Sequence, residues 1–174
     1  MNNVYLMGFM GSGKSTVGRL LARRLGREFV DTDNLIEERT GKSIAGIFRA
    51  KGEAHFRELE TLCITEVAKQ KNLVVALGGG APLKEENWQM LKRTGLSIYL
   101  KVAPQTVWER TQDDPDRPLI AGKSRKEKLE RIALLLEFRE PYYSRANIVV
   151  ENNHNNPDET VEGILRKLKP YGNR

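Results

Sequence analysis

The chain has a single cysteine among its 174 residues. Cys63 therefore has no intrachain partner, which excludes a disulfide framework and any zinc or iron–sulfur cage built on several thiolates. Histidine is almost as scarce: His55 and His154 are too few for a multi-histidine metal centre. No apolar stretch approaches the roughly 20 residues of a membrane span. No basic leader, apolar core and small-residue cleavage site precede Val4-Tyr5-Leu6-Met7, so a reducing cytoplasm is the expected location. Basic runs are missing too. Lys and Arg number 29 against 23 Asp and Glu, a net charge of +6, yet never exceed two in a row. A nucleic-acid face would show a denser stripe. The positive balance suits small anionic ligands better, with neither nucleic acid nor membrane as partner.

What is present is an ordinary globular balance, 39% hydrophobic and 30% charged. A chain this long can bury about 70% of its unfolded surface and needs no staple. No repeat, low-complexity tract or linker divides residues 1–174, which predicts one domain. Short apolar runs at 4–7, 29–31, 73–77, 97–102 and 148–150 read as strands. Helical patterns fill 14–25, 34–40, 43–51, 53–70, 85–93, 105–112, 125–143 and 157–168, with Ser124-x-x-Glu127 as a capping box. Residues 113–123, with two prolines and three aspartates, read as a loop. Five strands alternating with helices predict an α/β fold, a mostly parallel sheet in a three-layer α/β/α sandwich. Ligands of such a sheet gather at the carboxyl ends of its strands.

The strongest motif sits at the first of those ends. Gly8-Phe9-Met10-Gly11-Ser12-Gly13-Lys14-Ser15 fits G-x-x-x-x-G-K-[ST] between a predicted strand and a predicted helix. By chance a match would arise in about one per cent of chains of this length. Its glycines let consecutive N–H groups turn inward onto phosphate oxygens, beside a helix N-terminus. Lys14 supplies charge for the β and γ phosphates, and the Ser15 hydroxyl is a hard oxygen for magnesium. Neither an apolar strand ending in Asp at 73–77 nor a guanine-reading N-K-x-D accompanies the loop.

The later motifs are individually ambiguous. Asp31-Thr32-Asp33 closes the second strand, whose alternation would send both carboxylates to one side for magnesium or proton work. Asp33 could equally cap the next helix. Arg57 is spaced to pair with Glu60 and Glu53 on a helix surface, and Arg139 reads as a solvated charge late in a long helix. Gly78-Gly79-Gly80 permits close approach of a ligand to backbone donors, or is a flexible turn.

Together the Gly11-Ser12-Gly13-Lys14-Ser15-Thr16 loop, Asp31-Thr32-Asp33, Phe56-Arg57-Glu58-Leu59-Glu60, Gly78-Gly79-Gly80 and Arg117-Pro118-Leu119 resemble the shikimate kinases in order and spacing, from residue 4 to about 168. The resemblance implies the P-loop fold of nucleoside monophosphate kinases and transfer of the γ-phosphate of ATP to the 3-hydroxyl of shikimate. It implies a substrate-binding helical region at about 33–62, a lid at about 112–124, a Mg2+ requirement and a monomer. Asp33 would bind the shikimate hydroxyls and accept a proton. Arg57 and Arg139 would clamp the carboxylate, with Glu60 holding Arg57. Gly78, Gly79 and Gly80 would line the ring. Lys14 and Arg117 would stabilise the transferring phosphoryl group, Ser15 and Asp31 would flank magnesium, and Arg110 would pack on adenine. In place of arginines that contact adenine in some members stands Asn152-Asn153-His154-Asn155-Asn156, read as a polar turn with His154 as a stacking candidate. Two other readings stay open: a gluconate kinase-like enzyme, and a non-catalytic nucleotide-binding module.

Overall fold

The computed structural model describes residues 2–112 and 124–172. Five strands, β1 (Asn3–Met7), β2 (Glu28–Asp31), β3 (Leu73–Ala76), β4 (Gly95–Lys101) and β5 (Ile148–Glu151), form one sheet in the order β2-β3-β1-β4-β5. Every pairing is parallel. A parallel sheet needs cover on both faces, and the period-two alternation supplies it. Val4, Leu6, Val74, Ile98 and Leu100 enter one apolar cluster with α1 (Lys14–Leu25) and α7 (Pro157–Leu168). Tyr5, Met7, Val75 and Tyr99 enter the other, with α2 (Thr32–Thr40), α3 (Ile44–Lys69), α4 (Glu85–Thr94), α5 (Pro104–Thr111) and α6 (Arg125–Tyr143). The result is the expected three-layer sandwich.

Most element ends differ by a residue or two from the sequence reading, and two differences bear on the site. The helices expected at 43–51 and 53–70 are two arms of α3, bent at Gly52, whose φ of 80° and ψ of 173° interrupt the helical run. Positive φ there is what a residue without Cβ adopts at no steric cost. The helix expected at 34–40 begins earlier, at Thr32, directly after β2 ends at Asp31. Among the described residues no helix is long and apolar enough to cross a membrane.

Strand order places the switch point at the carboxyl end of β1, where the chain crosses first towards β2 and β3 and later towards β4. Ligand crevices of open α/β sheets open at such points. The loops that follow β1, β2 and β3 meet there.

Candidate active site

The loop between β1 and α1 is shaped by its glycines: Gly8, Gly11 and Gly13 have φ of 149°, 71° and 85°. Gly13 is the N-cap of α1 and caps it with no side chain, so the first N–H groups of the helix face the loop. Such groups with the positive end of the helix dipole form an anion cradle. Lys14 Nζ lies over the loop and donates to Gly8 O at 3.0 Å and Phe9 O at 2.9 Å. Thr16 is exposed on the first turn of α1.

Two residues outside the loop, Asn152 and Arg110, hold its carbonyls. Asn152, buried at the end of β5, donates from Nδ2 to Ser12 O at 2.8 Å and accepts from Thr160 at 2.7 Å. Arg110 donates to Gly11 O at 3.1 Å and His154 O at 2.7 Å. Asn153 Oδ1 accepts from Ala103 N at 2.7 Å, fixing the start of α5. The turn read from sequence as merely polar is thus, at Asn152, a buried strut of the phosphate loop. Asn at a strand end was the only local sign of it.

On the acid side, Ser15 Oγ donates to Asp31 Oδ2 at 2.6 Å. Asp31 Oδ1 also accepts from Asp33 N at 3.1 Å and Asn34 N at 3.4 Å, so Asp31, not Asp33, is the N-cap of α2. The two carboxylates are therefore arranged by a cap and a first helical turn, not by strand alternation. Thr32 between them is buried and ties the ends of two strands: its Oγ1 donates to Ala76 O and accepts from Gly78 N at 3.0 Å. Burial, and then the neighbouring Asp31, push the Asp33 carboxyl above the usual carboxylate range, while Lys14 and Arg57 oppose the shift.

Opposite Asp33, the arm of α3 beyond Gly52 presents Arg57. Its Nη1 donates to Glu60 Oε2 at 2.9 Å and its Nη2 to Glu53 Oε1 at 3.0 Å. The Arg57–Glu60 pair is not a surface bridge, because Glu60 is 0% exposed. Burial pushes the Glu60 carboxyl up, with Arg57 opposing. Arg139 of α6 is likewise buried, not solvated. Its guanidinium carbon stands 5.2 Å from the Phe9 ring centroid and Nη1 is 3.5 Å from Gly79 O.

Gly78-Gly79-Gly80 is the floor on which these groups rest. A Cβ at Gly78 would lie 2.6 Å from Glu60 Oε1 and 2.7 Å from Asp33 Oδ1; one at Gly80 would collide with the Arg57 guanidinium. At Gly79 the nearest atom would be Arg139 Nη1, 3.4 Å away. The triplet is needed for close approach, and no side chain fits at either end of it.

Asp33 Oδ1, Glu60 Oε1 and Arg139 Nε are buried without a hydrogen-bond partner. Such atoms are costly unless something polar meets them. Here they converge beside the phosphate loop. The fold thus brings together Gly11, Ser12, Gly13, Lys14, Ser15, Asp31 and Asp33, with Arg57, Gly78, Gly79, Gly80, Arg110 and Arg139 around them. Arg117 and the expected lid core lie outside the described residues.

Comparison with known proteins gives one answer. The sequence model of the family described as shikimate kinase matches residues 10–169. A shikimate kinase of Sulfurihydrogenibium sp. (strain YO3AOP1) is 45% identical over 169 residues, 97% of this chain and 99% of that one. One from Persephonella marina is 46% identical, covering 97% and 100%. Among solved structures, shikimate kinase from Acinetobacter baumannii in complex with shikimate superposes with a TM-score of 0.93 at 37% identity, covering 100% of this chain and 96% of that one.

Proposed function

The chain belongs to the shikimate kinase family and is an ATP-dependent small-molecule kinase; from that premise we propose how its residues divide the transfer of the γ-phosphate of ATP to the 3-hydroxyl of shikimate. The observation that carries the division is the convergence of Asp33, Arg57 and Arg139 on the glycine floor, two of them with an unmet buried atom. Arg57 and Arg139 supply two planar forks for one carboxylate, the geometry Arg offers and Lys does not. Glu60 holds the Arg57 fork in place. Asp33, held over Gly78, takes the shikimate hydroxyls and accepts the proton of the attacking one; its raised affinity for a proton suits that task.

The cradle of N–H groups at Gly11, Ser12, Gly13, Lys14, Ser15 and Thr16 binds the ATP phosphates. Lys14 moves from its loop carbonyls to phosphoryl oxygens, neutralising charge there. Arg117 and the lid at about 112–124 keep their assignment from sequence, the first to charge on the transferring group and the second to excluding water. Arg110, packed between Gly11 and His154, borders the nucleotide side.

Magnesium fits beside Ser15 and Asp31, two hard oxygens 2.6 Å apart at the mouth of the loop. Among the described residues no group of three or more His, Cys, Asp or Glu could hold a metal ion. None is required, because Mg2+ in kinases takes one or two protein oxygens and otherwise phosphate and water. Bound there, the ion neutralises phosphate charge. Positioning and electrostatics then account for the rate, with no covalent work for the protein.

Steady-state kinetics of Arg57→Ala and Arg139→Ala test the division. Each variant is expected to raise the shikimate KM by about thirtyfold or more, as truncation of one partner of a buried charge pair does, with the ATP KM within threefold of wild type. Equal rises for both substrates, or none, would refute the clamp.

A further inference from the structure

One hydroxyl holds the glycine floor from behind. Tyr143, the last residue of α6, is fully buried, and its ring stands against Tyr99 of β4 with centroids 5.1 Å apart. Tyr99 is itself held, its hydroxyl donating to Glu140 at 2.6 Å, while Lys101 meets the other oxygen of Glu140 at 2.8 Å. Braced in this way, the Tyr143 Oη donates to Gly79 O at 2.5 Å. The other donor to that carbonyl is Arg139 Nη1 at 3.5 Å, long enough to be weak.

A peptide plane between two glycines has the weakest intrinsic preference of any for its orientation. The Gly79 carbonyl and the Gly80 N–H share such a plane and point in opposite directions. Whatever anchors the carbonyl therefore aims the N–H. Among the described residues no acceptor meets the N–H of Gly79 or of Gly80. On the other side of Gly80 lies the Arg57 guanidinium, against the place a Cβ would fill.

We propose that Tyr143 is a positioning residue for the acceptor substrate: by anchoring Gly79 O towards α6 it turns the Gly80 N–H to the opposite side of the peptide plane, away from α6 and on the residue that packs against the Arg57 guanidinium, as a third donor to the shikimate carboxylate. This rests on the carboxylate clamp assigned above. Burial pushes the Tyr143 hydroxyl up from its ordinary range, with Arg139 opposing, so it stays a donor across the working pH. Arg139 and Tyr143, four residues apart, share one face of α6. One face thus supplies a guanidinium to the ligand and a hydroxyl to the backbone that meets it.

Tyr143→Phe removes the hydroxyl and keeps the ring against Tyr99. Steady-state kinetics should show the shikimate KM rising roughly tenfold, the value of one hydrogen bond to a charged group, with the ATP KM within twofold of wild type. With shikimate methyl ester, which has no carboxylate, wild type and Tyr143→Phe should bind equally weakly. A shikimate KM within twofold of wild type overturns the proposal, and so does an equal rise in both KM values. Arg57→Ala run alongside separates the two ideas. If it raises the shikimate KM and Tyr143→Phe does not, the clamp stands and the role of Tyr143 falls. If neither raises it, the clamp falls and the proposal with it.

Discussion

Glu60→Ala probes the site through a residue that contacts its partner and not, on this account, the substrate. The wild-type carboxylate is wholly buried, 2.9 Å from Arg57 Nη1. Removing one partner of a buried pair costs about 3–5 kcal/mol when the survivor is left uncompensated. Arg57 is not so trapped. Its side chain is 28% exposed and already bonds Glu53 at 3.0 Å, so it can swing outward about that contact. The cost should fall accordingly, to about 2 kcal/mol, and appear mainly as a misplaced fork. At 1.4 kcal/mol per tenfold, that is a loss of about thirtyfold in kcat/KM for shikimate. Glu60→Gln keeps a hydrogen bond without the charge and should lose only about fivefold, the difference between charged and neutral bonds. A coupled assay of ADP release, with shikimate varied at saturating ATP, reads both. A kcat/KM for Glu60→Ala within threefold of wild type would refute the role given to Glu60, as would a Glu60→Gln variant as damaged as Glu60→Ala.

Other outcomes follow from the same geometry. Asp33 and Glu60 both hold protons more tightly folded than unfolded. Their favourable contribution is full below the ordinary carboxylate range and is lost as pH rises through the raised folded values. Urea unfolding across that window should show a fall in stability that is smaller in Asp33→Asn and Glu60→Gln; an unchanged slope would contradict the shifts. Asn152→Ala removes the Nδ2 strut from Ser12 O and leaves the Thr160 hydroxyl only its long bond to Asn156 O, at 3.4 Å. It should lower stability by about 1–3 kcal/mol and raise the ATP KM more than the shikimate KM, the reverse of the Arg57 variants. Cys63 is buried and its thiol is pushed up to about 11. Thiol reagents at neutral pH should leave it unmodified until the chain unfolds, which a mass measurement with and without denaturant decides.

Legibility from sequence followed the range of the interactions involved. The phosphate loop was legible because spacing alone dictates its turn: glycines where φ is positive, and Lys14 and Ser15 on the first helical turn. Strand and helix periods, and the break at Gly52, were equally local. Asp31 and Asp33 do come together beside the phosphate loop, but through a helix cap and its first turn and not through strand alternation. A side-chain cap, which the strand period does not encode, decided where α2 begins. The pair Arg57–Glu60 reads as a surface bridge from its spacing, and only packing against Gly78 and Gly80 makes it a buried one. Arg139 looked solvated for the same reason. The roles of Asn152, Thr32 and Tyr143 are not visible in the sequence, since each acts through bonds to backbone atoms tens of residues away.

The central claim is that this site phosphorylates shikimate, and the most direct measurement is ADP release from MgATP with shikimate, with gluconate and with no acceptor. Turnover should depend on shikimate, with gluconate no better than water. Turnover with gluconate and none with shikimate would contradict the assignment of Arg57, Arg139 and Asp33, and nucleotide binding with no acceptor-dependent ADP release would contradict catalysis itself.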